Sequence, residues 1–384
     1  MHWASAVGEG EKLDAAVAAA AAEIRAQLSG QAPDLVLAFV SEAYASDYER
    51  LPGLVQRTLG DGLLLGCSAG GVIGGGRELE RKPAVSLTAA VLPGVTLDGF
   101  HADHAAADAV GQAVAVDQAL AALAQDEASP PQFLLLADSL TFNPEPLLQG
   151  LDIAYPDSGK LGGLASGGRE PGENALYLRS QIHRSGLVAQ GCRPVGDPLF
   201  VTASRGNVLL GLDGQPPLVV LNAIYERLDA RDQELLRHAL FLGIALPGPR
   251  ERYQPGDFLV RNLLGSDPAT GALMVGTALE NNNIVQFHVR DARSSAEDLE
   301  ALLRPYDVLP PSERPCGSLL FSCVGRGEGL YGVPDHDTQM LRRHLGDIPV
   351  GGFFCNGEIG PVHGTTFLHG YTSAFGLFRP RANE

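Results

Sequence analysis

The chain is short of positive charge, of paired cysteines and of long apolar runs, and each shortage removes a class of function. Lysine and arginine number 28 against 45 aspartates and glutamates, giving a formal net charge of −17. So acidic a surface repels phosphate backbones, and no run of Lys or Arg provides a local exception, so no nucleic-acid partner is expected. The five cysteines, Cys67, Cys192, Cys316, Cys323 and Cys355, are odd in number and form no C-x-x-C pair. That argues against a disulfide framework and a zinc ribbon, and suits the thiols of a cytoplasmic protein. No local ligand spacing indicates a metal site, and no cofactor is expected. No G-x-x-x-x-G-K-[ST] segment supports a P-loop nucleotidase. No uncharged apolar run approaches the roughly 18 residues that a membrane helix needs. The Ala-rich stretch Ala15–Ala22 leads into Glu23 and Arg25 without a basic region before it, so it reads as a helix rather than a signal peptide. A soluble cytoplasmic protein, not inserted in a membrane, is the expectation.

What the chain has in abundance is glycine, 47 residues of it, and part of that glycine recurs in a pattern. Leu65-Gly66-Cys67-Ser68-Ala69-Gly70-Gly71-Val72-Ile73-Gly74 is echoed by Leu161-Gly162-Gly163-Leu164-Ala165-Ser166-Gly167-Gly168. A third copy reads Gly351-Gly352-Phe353-Phe354-Cys355-Asn356-Gly357-Glu358-Ile359-Gly360. Each lies roughly thirty residues after an apolar run (Leu35–Val40, Phe133–Ala137, Leu319–Cys323), with a helical stretch between. One supersecondary unit used several times is indicated. The glycine segments are corresponding points of those units, so their convergence in space is the question that matters for function.

Helices are expected over Glu11–Leu28, Tyr44–Leu59 (broken at Pro52-Gly53), Val110–Gln125, Glu145–Ile153, Ala223–Leu242, Ser295–Leu303 (opened by a Ser295-x-x-Asp298 capping box) and Asp337–Leu345. Strands are expected over Asp34–Val40, Leu63–Leu65, Ala84–Leu92, Ala175–Arg179, Ser185–Gln190, Val201–Ser204, Val208–Leu212, Phe258–Leu264, Ala272–Val275 and Ile284–Arg290. Val195–Asp291 reads as a diverged fourth repeat. The fold class is therefore α/β, mixed α+β, built from repeated strand–helix–strand–strand units in two packed parts.

Four constellations bear on chemistry. Gly66-Cys67-Ser68-Ala69-Gly70 matches the G-x-S-x-G nucleophile elbow, but more glycines follow where the elbow needs a helix, so Ser68 also reads as a small hydroxyl at a tight strand end. Gly327-Glu328-Gly329-Leu330-Tyr331-Gly332 matches G-x-G-x-x-G, yet Glu328 would oppose a pyrophosphate and no acid ends the next strand. Cys355 could be a nucleophile with His363 or His369 as base, or a buried small hydrophobe. Arg326 and Glu358 could pair structurally, or bind the two ends of a zwitterion, with Asn356 and His369 orienting it.

These residues resemble the FIST family of sensory domains. Phe258-Leu259-Val260-Arg261-Asn262-Leu263-Leu264-Gly265-Ser266-Asp267-Pro268 is similar to its Arg-Asn-φ-φ-Gly segment. Val285–Ala292, Phe321-Ser322-Cys323-Val324-Gly325-Arg326-Gly327, Gly352–Pro361 and Phe367-Leu368-His369-Gly370-Tyr371-Thr372 also resemble segments of the family. In the N-terminal part, Gly66–Gly71 resembles the family's Gly-Cys-Ser turn, with Val72 where an acid is usual. The resemblance implies an N-terminal domain at 1–215 and a C-terminal one at 216–384. It implies sensing rather than catalysis: a bacterial signal-transduction protein that binds a small polar ligand, an amino acid among the candidates, and acts through a separate signalling protein. Arg326, Cys355, Asn356, Glu358 and His369 would line the site. The alternative is a small-molecule hydrolase or acyltransferase using Cys355 or Ser68.

Overall fold

A computed structural model describes residues 1–101, 131–183, 193–246, 253, 257–289, 291–362 and 364–380. The expected helix Val110–Gln125, the strand Ser185–Gln190, Cys192 and His363 lie outside the described residues. The chain divides into two compact units. One holds Met1–Ala189, Leu299–Leu368 and Thr372–Glu384; the other holds Gln190–Asp298 and His369–Tyr371. The fold is mixed α/β, with several mixed sheets. Among the described residues, no helix is long and apolar enough to cross a membrane.

The elements of the first unit run β1 (His2–Glu9), α1 (Leu13–Gln27), β2 (Leu35–Ser41), α2 (Leu51–Leu59), β3 (Leu63–Ala69), β4 (Gly71–Gly74), β5 (Arg77–Glu80), β6 (Ala84–Val91), β7 (Phe133–Ala137), α3 (Glu145–Ala154), β8 (Lys160–Leu164), β9 (Leu176–Leu178) and β10 (Gln181–His183). β2 is buried along its whole length, as a central strand covered on both faces must be. Val36, Ala38 and Val40 pack with α1 and α2, while Leu37 and Phe39 enter the opposite layer with Phe321 and Phe353. The helix expected from Tyr44 begins only at Leu51, after a 3-10 turn over Glu42–Arg50. Pro52 therefore opens α2 instead of breaking it; a first-turn N–H has no helical acceptor, so proline costs nothing there.

The second unit comprises β11 (Arg193–Arg205), β12 (Val208–Leu212), α4 (Pro217–Tyr225), α5 (Ala230–His238), β13 (Leu240–Ala245), β14 (Phe258–Asp267), β15 (Ala272–Val275) and β16 (Ile284–Val289). Its strands close a barrel in the order β11-β12-β15-β14-β13-β16, paired antiparallel throughout. It is not a fourth strand–helix–strand repeat, since that would need a parallel pair. The long helix expected over Ala223–Leu242 is two short helices and a strand. Asp229 ends the first connection by accepting from the Asp232 N–H at 2.8 Å, so a new helix starts there. Leu240–Ala245 pairs with β14 and β16, and that pairing overrides its helical periodicity.

The chain then returns to the first unit through α6 (Ala292–Leu303), β17 (Gly317–Cys323), α7 (Gly327–Tyr331), α8 (His336–Leu345), β18 (Val350–Cys355), β19 (Glu358–Val362), β20 (Thr365–His369) and β21 (Ser373–Phe378). α6 begins three residues before the expected capping box. Asp291 caps it, accepting from the Ser294 N–H at 3.1 Å.

Three parallel pairs realise the three repeats: β2 with β3, β7 with β8 and β17 with β18. The glycines recur for a steric reason. Gly66, Gly162 and Gly352 stand opposite Ala38, Leu135 and Leu320 in these pairs. A Cβ at each would fall 1.9, 1.8 and 1.8 Å from the carbonyl oxygen of its partner. Only a residue without a side chain allows so close an approach. Past each glycine segment the chain leaves its own sheet. β4 leaves the first repeat to pair with β18, β19 leaves the third to pair with β8, and β9 follows the second and pairs with β3. Each repeat thus lends a strand to another in a closed cycle, and this draws the three glycine segments together.

Candidate functional site

The convergence is tight. The Ser166 Oγ accepts from the Gly70 N–H at 2.8 Å and donates to the Phe354 carbonyl, so one hydroxyl ties all three segments. The Leu164 N–H donates to the Gly357 carbonyl at 2.9 Å, and the Val324 N–H to the Cys355 carbonyl at 2.8 Å. Glu358 opens β19 opposite Gly163, and a Cβ at Gly163 would meet the Cys355 sulfur at 2.5 Å. The junction therefore fixes where Cys355 and Glu358 stand.

Beside this junction lies a buried polar cluster. Arg326 follows β17 and is 5 % exposed; its Nε donates to Asp337 Oδ2 at 2.9 Å and its Nη2 to Oδ1 at 3.1 Å. The same Nη2 donates to the Tyr331 hydroxyl. Asp337, in the first turn of α8, is fully buried and also accepts from Ser322 Oγ at 3.3 Å, from Ser373 Oγ and from His336 Nδ1 at 3.0 Å. Burial alone would raise the Asp337 carboxyl, but the Arg326 guanidinium and these hydrogen bonds hold it well below the usual carboxylate range. The rings of Tyr331 and His336 stack with centroids 3.5 Å apart.

The structure thus gives Arg326 a partner other than the one read from the sequence. Asp337, not Glu358, closes the ion pair, because α8 packs its first turn over the ends of β17 and β21 while Glu358 lies beyond the end of β18. The Nη1 edge is the part of the guanidinium outside these bonds.

Two further carboxyls border the pair. Glu358 is fully buried; its Oε2 accepts from the Thr372 N–H at 3.0 Å and Oγ1 at 2.9 Å, and its Oε1 has no hydrogen-bond partner among the described residues. Burial pushes this carboxyl well above its ordinary value, against the pull of the Thr372 hydrogen bonds and of Arg326. Glu78, on β5, accepts from the Thr338 N–H at 2.7 Å with Oε1 and so caps α8, while Asp335 accepts from the Glu78 N–H at 2.6 Å. Glu78 Oε2 is likewise unpartnered, and burial, then the nearby Asp337 charge, pushes the carboxyl up to about 8. Two further buried carboxyls therefore accompany the Arg326–Asp337 pair, Glu358 under the pull of the guanidinium and Glu78 beside the Asp337 charge.

The remaining expected residues separate. Cys355 is buried in the central core, its thiol pushed up by burial and by Glu358, with Sγ donating to the Phe353 carbonyl at 3.5 Å. This environment suppresses the thiolate that a nucleophile needs. Asn356 is exposed. His369 is grouped with the barrel unit and the other four with the first unit. Ser68 is buried in β3, donating to Asn174 Oδ1 at 3.2 Å and accepting from the Ala175 N–H at 3.0 Å. Neither partner is a base, and a strand follows where the elbow requires a helix. The G-x-G-x-x-G segment forms the one-turn α7, and Glu80 already accepts from the Glu328 N–H at 2.7 Å, the place a phosphate would take. Sequence reasoning does not single out Asp337, Tyr331, His336 or Glu78. The run Asp335-His336-Asp337-Thr338 directly after that glycine segment is a usable signal; Glu78 carries none. Among the described residues, no group of three or more His, Cys, Asp or Glu is placed to hold a metal ion.

Comparison with known proteins places the chain in a family. Residues 34–215 match the FIST N domain and residues 219–361 the FIST C domain. The chain belongs to the FIST family. FIST domains are associated with sensing and signal transduction. The FIST C match holds part of the barrel as well as β17, α8 and β18. An uncharacterized protein of Mycobacterium tuberculosis is 37% identical over 377 residues, covering 94% of this chain and 96% of its own. One of Mycobacterium bovis is 33% identical over 372 residues, covering 94% of each. An F-box/LRR-repeat protein of Arabidopsis thaliana shares 27% identity over 118 residues, 27% of this chain and 22% of its own.

Proposed function

We propose that this FIST protein is a cytoplasmic sensor that binds a small polar molecule at the Arg326–Asp337 cluster and signals through a separate protein partner. The observation that carries the reading is Glu358: a fully buried carboxyl, held by Thr372 through one oxygen and unpartnered at the other among the described residues. Native proteins seldom leave a buried carboxyl oxygen unbonded, because the desolvation of such a group costs about 1–3 kcal/mol or more. A ligand donor at Oε1 would recover that cost. Amino acids are the first ligands to test, with the ammonium at Glu358 and the Nη1 edge of Arg326 available to the rest of the molecule. Asn356, two residues from Glu358, would contact the ligand from the exposed side, and Cys355 would support the site from the core.

The test is a thermal-shift screen of the full chain against amino acids and related small metabolites, repeated with Glu358→Gln. At a concentration about 100-fold above its dissociation constant, a ligand stabilises the fold by about 2.7 kcal/mol. A shift lost in the variant supports the sensor; a panel that moves neither protein counts against it.

A further inference from the structure

Four side chains of the cluster close on one another in a ring. Arg326 donates to the two oxygens of Asp337, at 2.9 and 3.1 Å, and to the Tyr331 hydroxyl. Asp337 in turn binds His336 Nδ1 at 3.0 Å, and the His336 ring lies on the Tyr331 ring, with centroids 3.5 Å apart and planes 10° from parallel. Each member is thereby held by two others. Asp337 fixes one edge of the imidazole and Tyr331 fixes its face. A half-turn of the ring would carry carbon Cδ2 to the place of Nδ1 and break the bond to Asp337. The pair also decides where the proton stands. Burial opposes ionisation of Asp337, but the Arg326 guanidinium overrides it and holds the carboxyl well below its usual range, so Asp337 accepts and the imidazole donates. A neutral imidazole carries one N–H. With that proton on Nδ1, Nε2 is left as a bare acceptor on the side of the ring away from Asp337. Arg326 and Asp337 are buried, whereas the His336 side chain is 16 % exposed, and its Nε2 has no hydrogen-bond partner among the described residues.

We propose that His336 Nε2 is the atom through which the cluster meets its ligand, and that it takes an O–H or N–H donor of that molecule. This rests on the ligand-binding reading above and adds a contact at the exposed side of the buried pair. Asp337 does not need the histidine, since its oxygens already accept from Arg326, Ser322 and Ser373. The bond therefore acts on His336, and Asp337 and Tyr331 serve this contact as positioning residues. A buried carboxylate on one imidazole nitrogen is how proteins aim the other. A metal ion is a poorer fit, since no set of three or more His, Cys, Asp or Glu is placed for one among the described residues.

The full chain is treated with diethyl pyrocarbonate, which acylates an unprotonated imidazole nitrogen. Nε2 attacks one carbonyl carbon, the bond from that carbon to the bridging oxygen breaks, ethyl carbonate leaves, and the Nδ1 proton passes to the buffer. Peptide mapping should find His336 modified and His344 intact, because His344 is bonded to Asp307 at 2.7 Å in the same way but is 4 % exposed. His336 as resistant as His344 overturns the proposal, since a nitrogen that the reagent cannot reach receives no ligand. Nitrogen NMR of histidine-labelled protein, with His336 assigned by its loss in His336→Asn, should place the proton of the neutral ring on Nδ1. A proton on Nε2 instead overturns the proposal. The thermal-shift panel of amino acids and related metabolites is then repeated with His336→Asn. Asparagine sets its amide nitrogen where Nδ1 stands, keeping a donor for Asp337, and has no atom at Nε2; a melt without ligand reports its folding. A compound that stabilises the wild type should bind the variant about 10-fold more weakly, the loss of one hydrogen bond. Equal binding by both overturns this proposal and leaves the ligand-binding reading standing. A panel that does not move the wild type counts against that reading and takes this proposal with it. A compound that binds should also protect His336 of the wild type from acylation, and failure to protect overturns the proposal even if the variant does not fold.

Discussion

Substituting alanine for Gly162 should be among the most damaging small changes available in this chain. Its Cβ would lie 1.8 Å from the Leu135 carbonyl oxygen and 2.7 Å from the carbon, where real Cβ contacts below 3.0 Å are essentially never seen. β8 would have to retreat from β7 by about 1.2 Å to reach even that limit. Overpacking of this kind costs about 1–3 kcal/mol. The retreat also strains the parallel ladder from Phe133/Lys160 to Ala137/Leu164, where each lost hydrogen bond adds about 1 kcal/mol. A loss of about 3–5 kcal/mol is expected from these two costs together. Gly150 supplies the control: it lies within α3, and a methyl group there would have nothing inside 4 Å, so the same substitution should gain about 0.5–1 kcal/mol. The assay is urea unfolding followed by fluorescence of Trp3, the single tryptophan, which is buried in the same unit and stacked on Phe378 at 4.4 Å. A Gly162→Ala midpoint equal to that of Gly150→Ala would refute the claim that strand proximity dictates the repeated glycines. Because Gly163 pairs with Glu358, ligand binding should weaken in the Gly162 variant as well.

Stability should fall as pH rises from about 4.5 to about 8, because the folded chain retains protons on Glu78 and Glu358 that the unfolded chain has released; urea midpoints across that range should flatten in Glu78→Gln. Asp337 acts with the opposite sign: its contribution is present above the ordinary aspartate value and is lost as acid protonates it, so a second decline should appear in strong acid. Arg326→Ala leaves Asp337 charged and unpaired in the interior and should cost about 3–5 kcal/mol, read as a large drop in melting temperature, whereas an unchanged melt would mean that the pair contributes little. Peptide mapping after brief treatment with a thiol reagent should find Cys67 and Cys355 unmodified in the native protein, both thiols being buried and pushed up; rapid labelling of Cys355 would revive the nucleophile reading.

Much of the fold is legible in the chain because it depends on local signals. The three glycine segments, their apolar lead-in strands and the intervening helices are periodic patterns with short-range causes, and β2, β7, β17 and α8 appear close to where those patterns put them. The family resemblance rests partly on the same stretches and partly on barrel segments such as Phe258–Asp267. Reading fails where two causes compete. At Ala223–Leu242 an amphipathic period conceals a strand, because pairing with β14 and β16 outweighs propensity over the six residues of β13. At Tyr44–Leu59 the proline reads as a break but marks a beginning.

What the sequence determined alone, then, was the class of fold, the repeat and the family resemblance. The tertiary structure decided who partners whom. Glu358 and Arg326 lie 32 positions apart, and in the sequence each is available to the other. The choice of Asp337 follows from the way α8 packs its first turn over β17, and the arrival of Glu78, 260 positions before the Thr338 it binds, follows from β4 and β5 crossing into the third repeat's sheet. Such partnerships are set by strand exchange between distant segments. No local pattern encodes them, because the energy that selects them is gained only when all three repeats are assembled.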